Sequence, residues 1–393
     1  MRKRAAHGTA RTPRTGELPV AGSLLAHGWE SPALIVITFA LLGIGLITVY
    51  SASAVMALDD SLADYYYVVR QLGGAALGFV LLGLMANLDY RRLRLLAWPV
   101  LLGVMLTLLI MILPGTEAIA PVIKGARRWL FIGPFGLQPS EFAKLALIIW
   151  TAALAVKKQD KLSSLSRGLL PFLLVWGVVG LLVLLQPSMS AAGLIVLLAA
   201  IVAFAGGARI GHFILIGAGV LPFAWSQIQN VGYRATRIAA FLNPSYDSEG
   251  ASYQIYQALI AVGSGGLWGR GLGHGLQKFG YLPEPHNDFL LAMIGEEWGF
   301  LGVLVVIGLF ALFTLIGFRI ARDAEDLFGF LLAIGITSMI AIHALMHILI
   351  NLAWFPTTGV TLPLMSYGRS SLLVCMAGVG ILISIARRRG ATP

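Results

Sequence analysis

Ten apolar stretches leave this chain little choice of architecture. They fall at roughly 33–51, 71–88, 95–113, 139–156, 169–186, 190–206, 210–228, 289–318, 328–350 and 371–386. Most approach the about 20 residues that a helix needs to cross a bilayer core. Helices and closed barrels are the structures that satisfy their own backbone polar groups in lipid, and runs of this length read as helices. The expected fold is therefore an all-α polytopic membrane protein with about ten transmembrane helices. One large extracytoplasmic loop, about 229–288, precedes helix 8. Composition agrees, with 58% hydrophobic and 12% charged residues, where a soluble chain carries about twice that charged fraction.

The polar first stretch, with Arg2, Lys3, Arg4, Arg11, Arg14, Pro13 and Pro19, reads as a disordered basic cytoplasmic tail over 1–30. No cleavable signal precedes the first apolar run. A single transmembrane domain over 31–389 follows, and 390–393 forms a second cytoplasmic tail. The lone cysteine, Cys375, excludes an intrachain disulfide.

A net charge of +10 suggests a nucleic-acid partner until the charges are placed. With the N-terminal tail inside and the helices alternating, most of the 28 Lys and Arg residues fall on the inner side. They lie in the tail, at 91–94 and 157–167, at Arg209, Arg319 and Arg322, and at 387–389. That is the bias of short cytoplasmic loops. The basic excess is a topology signal, and no nucleic acid is implied.

Two outer loops are longer than connection requires, and such loops are usually functional. One, roughly 114–138, holds Lys124-Gly125-Ala126-Arg127-Arg128-Trp129. The other carries an apolar, Gly-rich run over 257–266 that suits an interfacial or re-entrant helix packed on protein. It ends at Asp288, where polar sequence meets apolar sequence at the mouth of a helix, with Glu296 and Glu297 two turns further on. Carboxylates near a bilayer default to a functional reading. Outer cations accompany it: Arg70, Lys124, Arg127, Arg128, Lys144, Arg234, Arg237, Arg270, Lys278 and Arg369. Positive charge is normally sparse on that side, and an anionic ligand such as a pyrophosphate accounts for it. Lys144 follows Glu141 by one helical turn, and such an intramembrane pair is expected to face a cavity.

Each residue also has a plain structural reading. Asp288 can serve as an N-cap. Glu296 and Glu297 can be buried charges that hold helices together. Arg127 and Arg128 can snorkel to lipid head groups, and His286 can be an ordinary polar loop residue. The Gly263-Ser264-Gly265-Gly266 and Gly269-Arg270-Gly271-Leu272-Gly273 runs lack the preceding strand of a nucleotide site. No Cys/His cluster suggests zinc.

The order of several motifs resembles the SEDS family (shape, elongation, division and sporulation), the peptidoglycan polymerases that include the FtsW and RodA proteins. They are Val49-Tyr50-Ser51-Ala52-Ser53-Ala54, Asp89-Tyr90-Arg91-Arg92-Leu93, Gly125-Ala126-Arg127-Arg128-Trp129 and Gln138-Pro139-Ser140-Glu141. The most telling are Pro283-Glu284-Pro285-His286-Asn287-Asp288-Phe289 with Gly295-Glu296-Glu297, and Leu362-Pro363-Leu364-Met365-Ser366-Tyr367-Gly368. The Tyr-Ser-Ala-Ser-Ala run and the basic N-terminal extension resemble the division (FtsW-like) branch more than the elongation (RodA-like) branch. Two positions depart from the family pattern. Ser188 stands where an acidic residue is usual, and Arg369 where glycine is usual.

The resemblance implies an inverting glycosyltransferase that polymerises lipid II at the outer face of a bacterial cytoplasmic (inner) membrane, with both termini cytoplasmic. It implies Asp288 as the base. Candidate substrate-binding residues are Arg128, Lys144, Glu141, Arg70, Arg234, Arg237, Lys278, His286, Glu297, Ser366 and Tyr367. Cations or a divalent metal (Mg or Mn) can replace a general acid, because pyrophosphate leaves readily. Implied partners are a class B penicillin-binding protein transpeptidase and other division-complex membrane proteins. A lipid II flippase or other transporter, an elongation-type polymerase and a noncatalytic scaffold are the competing readings.

Overall fold

The computed structural model describes residues 28–388 other than 124, 134, 230–231, 243–249 and 251. The expected basic tail (to residue 27), the C-terminal 389–393 and Lys124 lie outside those residues. The helices in chain order are α1 (Glu30–Asp59), α2 (Tyr66–Asn87), α3 (Leu93–Ile110), α4 (Pro139–Lys157), α5 (Leu170–Leu184), α6 (Met189–Ala205) and α7 (Ile210–Gln229). Two more, α8 (Gly232–Leu242) and α9 (Tyr253–Ser264), occupy the segment expected as one long loop, and α10 (Leu290–Arg322), α11 (Leu327–Asn351) and α12 (Arg369–Arg387) complete the bundle. A short hairpin of β1 (Leu130–Ile132) and β2 (Phe135–Leu137) precedes α4.

Every apolar stretch has become a helix, because a segment without access to water must bond its backbone internally. Among the described residues eight are long and apolar enough to cross a membrane; α6 and the Ile210–Pro222 part of α7 are apolar but shorter. The 17 residues of α6 extend about 26 Å at about 1.5 Å per residue, close to the core thickness of about 30 Å.

Helix ends that alternation assigns to one side meet in space. At one end Arg319 pairs with Glu30 at 3.1 Å. Arg91 reaches Glu325 at 2.6 Å and Asp326 at 3.1 Å, and Arg388 lies 3.6 Å from Asp89. The Asp326 carboxyl feels burial, which raises its pKa. The Gly329 N–H, Arg91 and the Tyr90 hydroxyl outweigh that and hold it below the usual range. At the opposite end Gln71 donates to the Ser366 carbonyl at 3.0 Å. There the Ser370 hydroxyl accepts from the Gln138 N–H at 2.8 Å.

The 289–318 stretch is not one continuous helix. At 33 residues α10 would extend about 50 Å, well beyond a bilayer core. It breaks at Gly299, whose φ of 69° and ψ of −165° are non-helical, a conformation open essentially to glycine. A break exposes carbonyls on one side and N–H groups on the other. The Gly-rich turn after α9 takes up both sets. Arg270 and Gly271 donate their N–H groups to the Glu296 and Glu297 carbonyls at 2.9 and 3.0 Å. The Gly266 and Leu267 carbonyls accept from the Phe300 and Leu301 N–H groups at 2.9 and 3.3 Å. Gly265 packs so closely that an added Cβ would overlap the Gly295 carbonyl oxygen. The 299–322 part then suffices to span, and Leu290 to Glu297 form a half-helix with every residue buried in protein.

Gly265→Ala is expected to lower stability by about 1–3 kcal/mol through overpacking, read as a lower Tm of the purified protein in detergent. Gly263→Ala, with open space around its Cβ position, is expected to change it by no more than about 0.5 kcal/mol. Equal stability of both variants would remove the splice.

Candidate active site

The segment that delivers Asp288 is shaped by its own sequence. Pro283 and Pro285 have their φ angles set by their rings, so the reversal falls on Glu284, whose φ is 53°. The Glu284 carbonyl then accepts from the N–H groups of Asn287 and Asp288, both at 3.1 Å. His286 is buried, its ring 4.8 Å from that of Tyr67 on α2 and 5.4 Å from that of Tyr367. Its carbonyl accepts from the Tyr367 N–H at 3.0 Å. Ser366 accepts from the Leu362 N–H at 3.0 Å, and Gln71 spans the Ser366 carbonyl and the Gly368 N–H. His286, Ser366 and Tyr367 thus join two distant motifs and lock the Asp288 turn between α2 and α12.

Asp288 itself is half-buried. The N-cap position of α10 belongs to Phe289, not to Asp288. Asn351, fully buried at the end of α11, does the capping from another helix. Its side-chain oxygen accepts from the Ala292 N–H at 2.9 Å, and its amide donates to the Asp288 carbonyl at 3.2 Å. The Asp288 carboxylate borders Gly359, with Oδ2 3.7 Å from where a Cβ would stand. Two residues before Gly359, the Thr357 carbonyl accepts from exposed Arg237 at 3.1 Å. One cation of α8 is therefore tied to the same short segment as the carboxylate.

The remaining cations lie elsewhere. Arg128 is half-buried and donates to the Gln186 carbonyl at 3.3 Å and to the Pro187 carbonyl. Ser188, the position without the usual acidic residue, is the N-cap of α6 and makes no cap bond through its side chain. Gln186 and Pro187 also line an open cleft of about 400 Å³ with Met111, Glu117 and Arg127. In its wall Arg127 pairs with Glu117, whose carboxyl is held below the usual range by its own backbone N–H first and by Arg127 second. Arg70 is exposed and stacks 4.2 Å over Tyr66. Arg369 lies over the Phe135 ring at 5.9 Å and against Gly74, bracing the hairpin on the last helix. Arg234 falls on α8, where its side chain lies outside the described residues.

Lys144 and Glu141 form the expected pair at 2.7 Å, with a third member that residue patterns did not single out. His343 of α11 places Nε2 2.7 Å from the Lys144 ammonium, while its Nδ1 lies 2.7 Å from the Met339 carbonyl. That arrangement assigns the proton to Nδ1, so Nε2 accepts from Lys144. His343, His347 and Asn351 recur at four-residue intervals on one face of an apolar helix. Their spacing was the signal available, since polar residues inside a span are costly.

Lys278 and Glu297 turn toward each other. Both are buried, with Nζ 3.5 Å from Oε1. Ser51 of α1 donates to the same carboxylate oxygen at 2.5 Å. Glu296 accepts from the Leu276 and Gln277 N–H groups at 2.8 and 3.2 Å. The two glutamates clasp the 273–278 turn onto the half-helix, as their structural reading anticipates. Among the described residues no group of three His, Cys, Asp or Glu side chains converges to hold a metal ion.

A family profile described as cell cycle protein, FtsW/RodA/SpoVE, matches residues 32–390. A Trichlorobacter lovleyi protein named probable peptidoglycan glycosyltransferase FtsW is 42% identical over 353 residues, covering 90% of this chain and 92% of its own. Stage V sporulation protein E of Bacillus subtilis is 41% identical over 359 residues, covering 90% and 96%. A chain of the solved structure titled structural coordination of polymerization and crosslinking by a peptidoglycan synthase complex superposes with a TM-score of 0.76. It is 28% identical, covering 94% of this chain and 100% of that one.

Lys278→Met strands the Glu297 charge and is expected to cost about 3 kcal/mol of stability. Adding Glu297→Gln is expected to recover most of that loss. Thermal unfolding in detergent measures both, and a single variant as stable as the parent would exclude the clasp.

Proposed function

The chain belongs to the FtsW/RodA/SpoVE family of cell cycle proteins, and from that membership we propose that it polymerises lipid II into glycan strands for the division septum. In the reaction an acceptor sugar hydroxyl attacks the anomeric carbon of a lipid-linked donor. The new C–O bond forms as the bond to the lipid pyrophosphate breaks, with inversion. A base must face the hydroxyl on the side opposite the departing group.

Asp288 is that base. The observation that carries the assignment is its setting: a half-buried carboxylate at the mouth of a protein-buried half-helix, on a turn locked to α2, α11 and α12. Rigid support of this kind is what general-base catalysis requires. The proton passes from the hydroxyl to the carboxylate as the oxygen becomes nucleophilic. Pyrophosphate needs charge stabilisation rather than a proton donor. Arg128 fills that role for the donor. Arg237, anchored at Thr357 beside the Asp288 segment, is placed to serve phosphate or sugar groups near the base. Lys144 sits between half-buried Glu141 and buried His343; a ligand that reaches it displaces part of that network.

The substrate explains why the site belongs to a helical bundle. Long polyprenyl tails stay in lipid while sugars and phosphates remain at the surface. In this reading both termini are cytoplasmic, the membrane is the bacterial cytoplasmic (inner) one, and the Asp288 end of the bundle faces outward. A class B penicillin-binding protein transpeptidase is the partner that would cross-link the product, alongside other division-complex membrane proteins.

Asp288→Asn is expected to lower polymerisation of purified lipid II by about 10²–10⁴-fold, with an unchanged elution profile in detergent. Near-parental polymer formation would remove Asp288 as the base. Arg128→Ala is expected to raise the lipid II concentration needed for half-maximal rate; an unchanged dependence would remove its phosphate role.

A further inference from the structure

Two buried side chains on one face of α11 hold the opposite flanks of Asp288. Asn351, fully buried, donates to the Asp288 carbonyl at 3.2 Å and accepts from the Ala292 N–H at 2.9 Å. One turn earlier His347, also fully buried, places Nδ1 2.8 Å from the Val360 carbonyl. Val360 follows Gly359, the residue that borders the Asp288 carboxylate. The Asn351 amide also donates to the His347 carbonyl at 2.8 Å, so the two contacts share one rigid turn of helix. One contact sets the main chain that carries the carboxylate. The other sets the main chain that bounds it.

We propose that His347 and Asn351 are positioning residues for the glycosyl-transfer base, registering Asp288 against the Gly359 segment from a single face of α11. This rests on the reading of Asp288 given above. Neither side chain needs to touch substrate. His347 acts through Nδ1 alone, since its Nε2 makes no hydrogen bond among the described residues. A carboxylate displaced by about 1 Å forfeits much of the advantage of fixed orientation, a penalty of about 10²-fold in rate. Substrate affinity, set by the cations and the lipid tails, is left in place. The signature is therefore a loss in kcat without a matching change in KM.

The His347 contact can be separated from any acid–base role, because an asparagine amide nitrogen falls near the place of the imidazole Nδ1 and a glutamine amide does not. The experiment measures steady-state glycan polymerisation by the full chain, with lipid II as substrate. His347→Leu, His347→Gln and Asn351→Ala are each expected to lower kcat by about 10- to 100-fold, with KM for lipid II within about threefold of the parent. His347→Asn is expected to restore kcat to within about threefold of the parent. If His347→Leu or Asn351→Ala fails to elute as folded protein, the Asn and Gln variants of His347 decide the matter alone. Parental kcat in His347→Gln overturns the inference, as does an Asn variant no better than the Gln variant. So does a fall in activity that lies wholly in KM. Asp288→Asn, run alongside, separates the two levels. If it stays active the base assignment fails; if it is inactive while His347→Gln keeps its kcat, the positioning role alone fails.

Discussion

A backbone polar group inside a bilayer must find its partner within the protein, and the break in α10 at Gly299 is where this fold meets that demand most visibly. Carbonyls at the end of one half-helix and N–H groups at the start of the next would each cost several kcal/mol if left unpaired in hydrocarbon, on the order of about 2–7 per group. Four backbone bonds from the turn after α9 satisfy them. The half-helix can then leave the axis of the span and remain enclosed by protein. The half-helix before Gly299 thereby becomes part of the core, and the Asp288 turn begins from a fixed base.

The charges around that turn divide by environment. Glu296, Glu297 and Lys278 are buried and partnered by backbone N–H groups, Ser51 and one another, so they hold the clasp. Lys144 and His343, both buried, form a second cluster with half-buried Glu141, deeper along the face of α11 that carries His347 and Asn351. From His343 to Asn351 is about 12 Å along that helix. Arg237, Arg70 and the Arg128 region lie nearer the surface, where a charged head group can approach without full desolvation. Bilayer proteins keep intramembrane charge where it is paired or useful, and the buried lysines here are both paired with glutamates.

The two departures from family pattern have local accounts. Arg369 can replace a glycine because its stem packs over Gly74 and its guanidinium finds the Phe135 ring, which binds the β1–β2 hairpin to α12. At Ser188 no carboxylate is present, and Arg128 directs its described bonds to the preceding carbonyls of Gln186 and Pro187. Those two main-chain carbonyls help to orient the guanidinium.

Hydropathy alone determined which stretches become apolar helices, because that depends only on whether a local run can leave water. The Pro-Glu-Pro-His-Asn-Asp turn and Asp288 were legible for the same reason, as polar residues abutting an apolar run. Three features were decided only by tertiary structure. Gly299 breaks α10 only where a turn some thirty residues earlier supplies bonding partners, so no window around Gly299 announces it. Phe289 rather than Asp288 occupies the N-cap, because Asn351, far along the chain, reaches the first turn. Lys144 has His343 beside it, and Lys278 has Ser51; such pairings depend on which helices become neighbours. Local sequence sets what each residue must avoid, and the packing of distant segments chooses its partner.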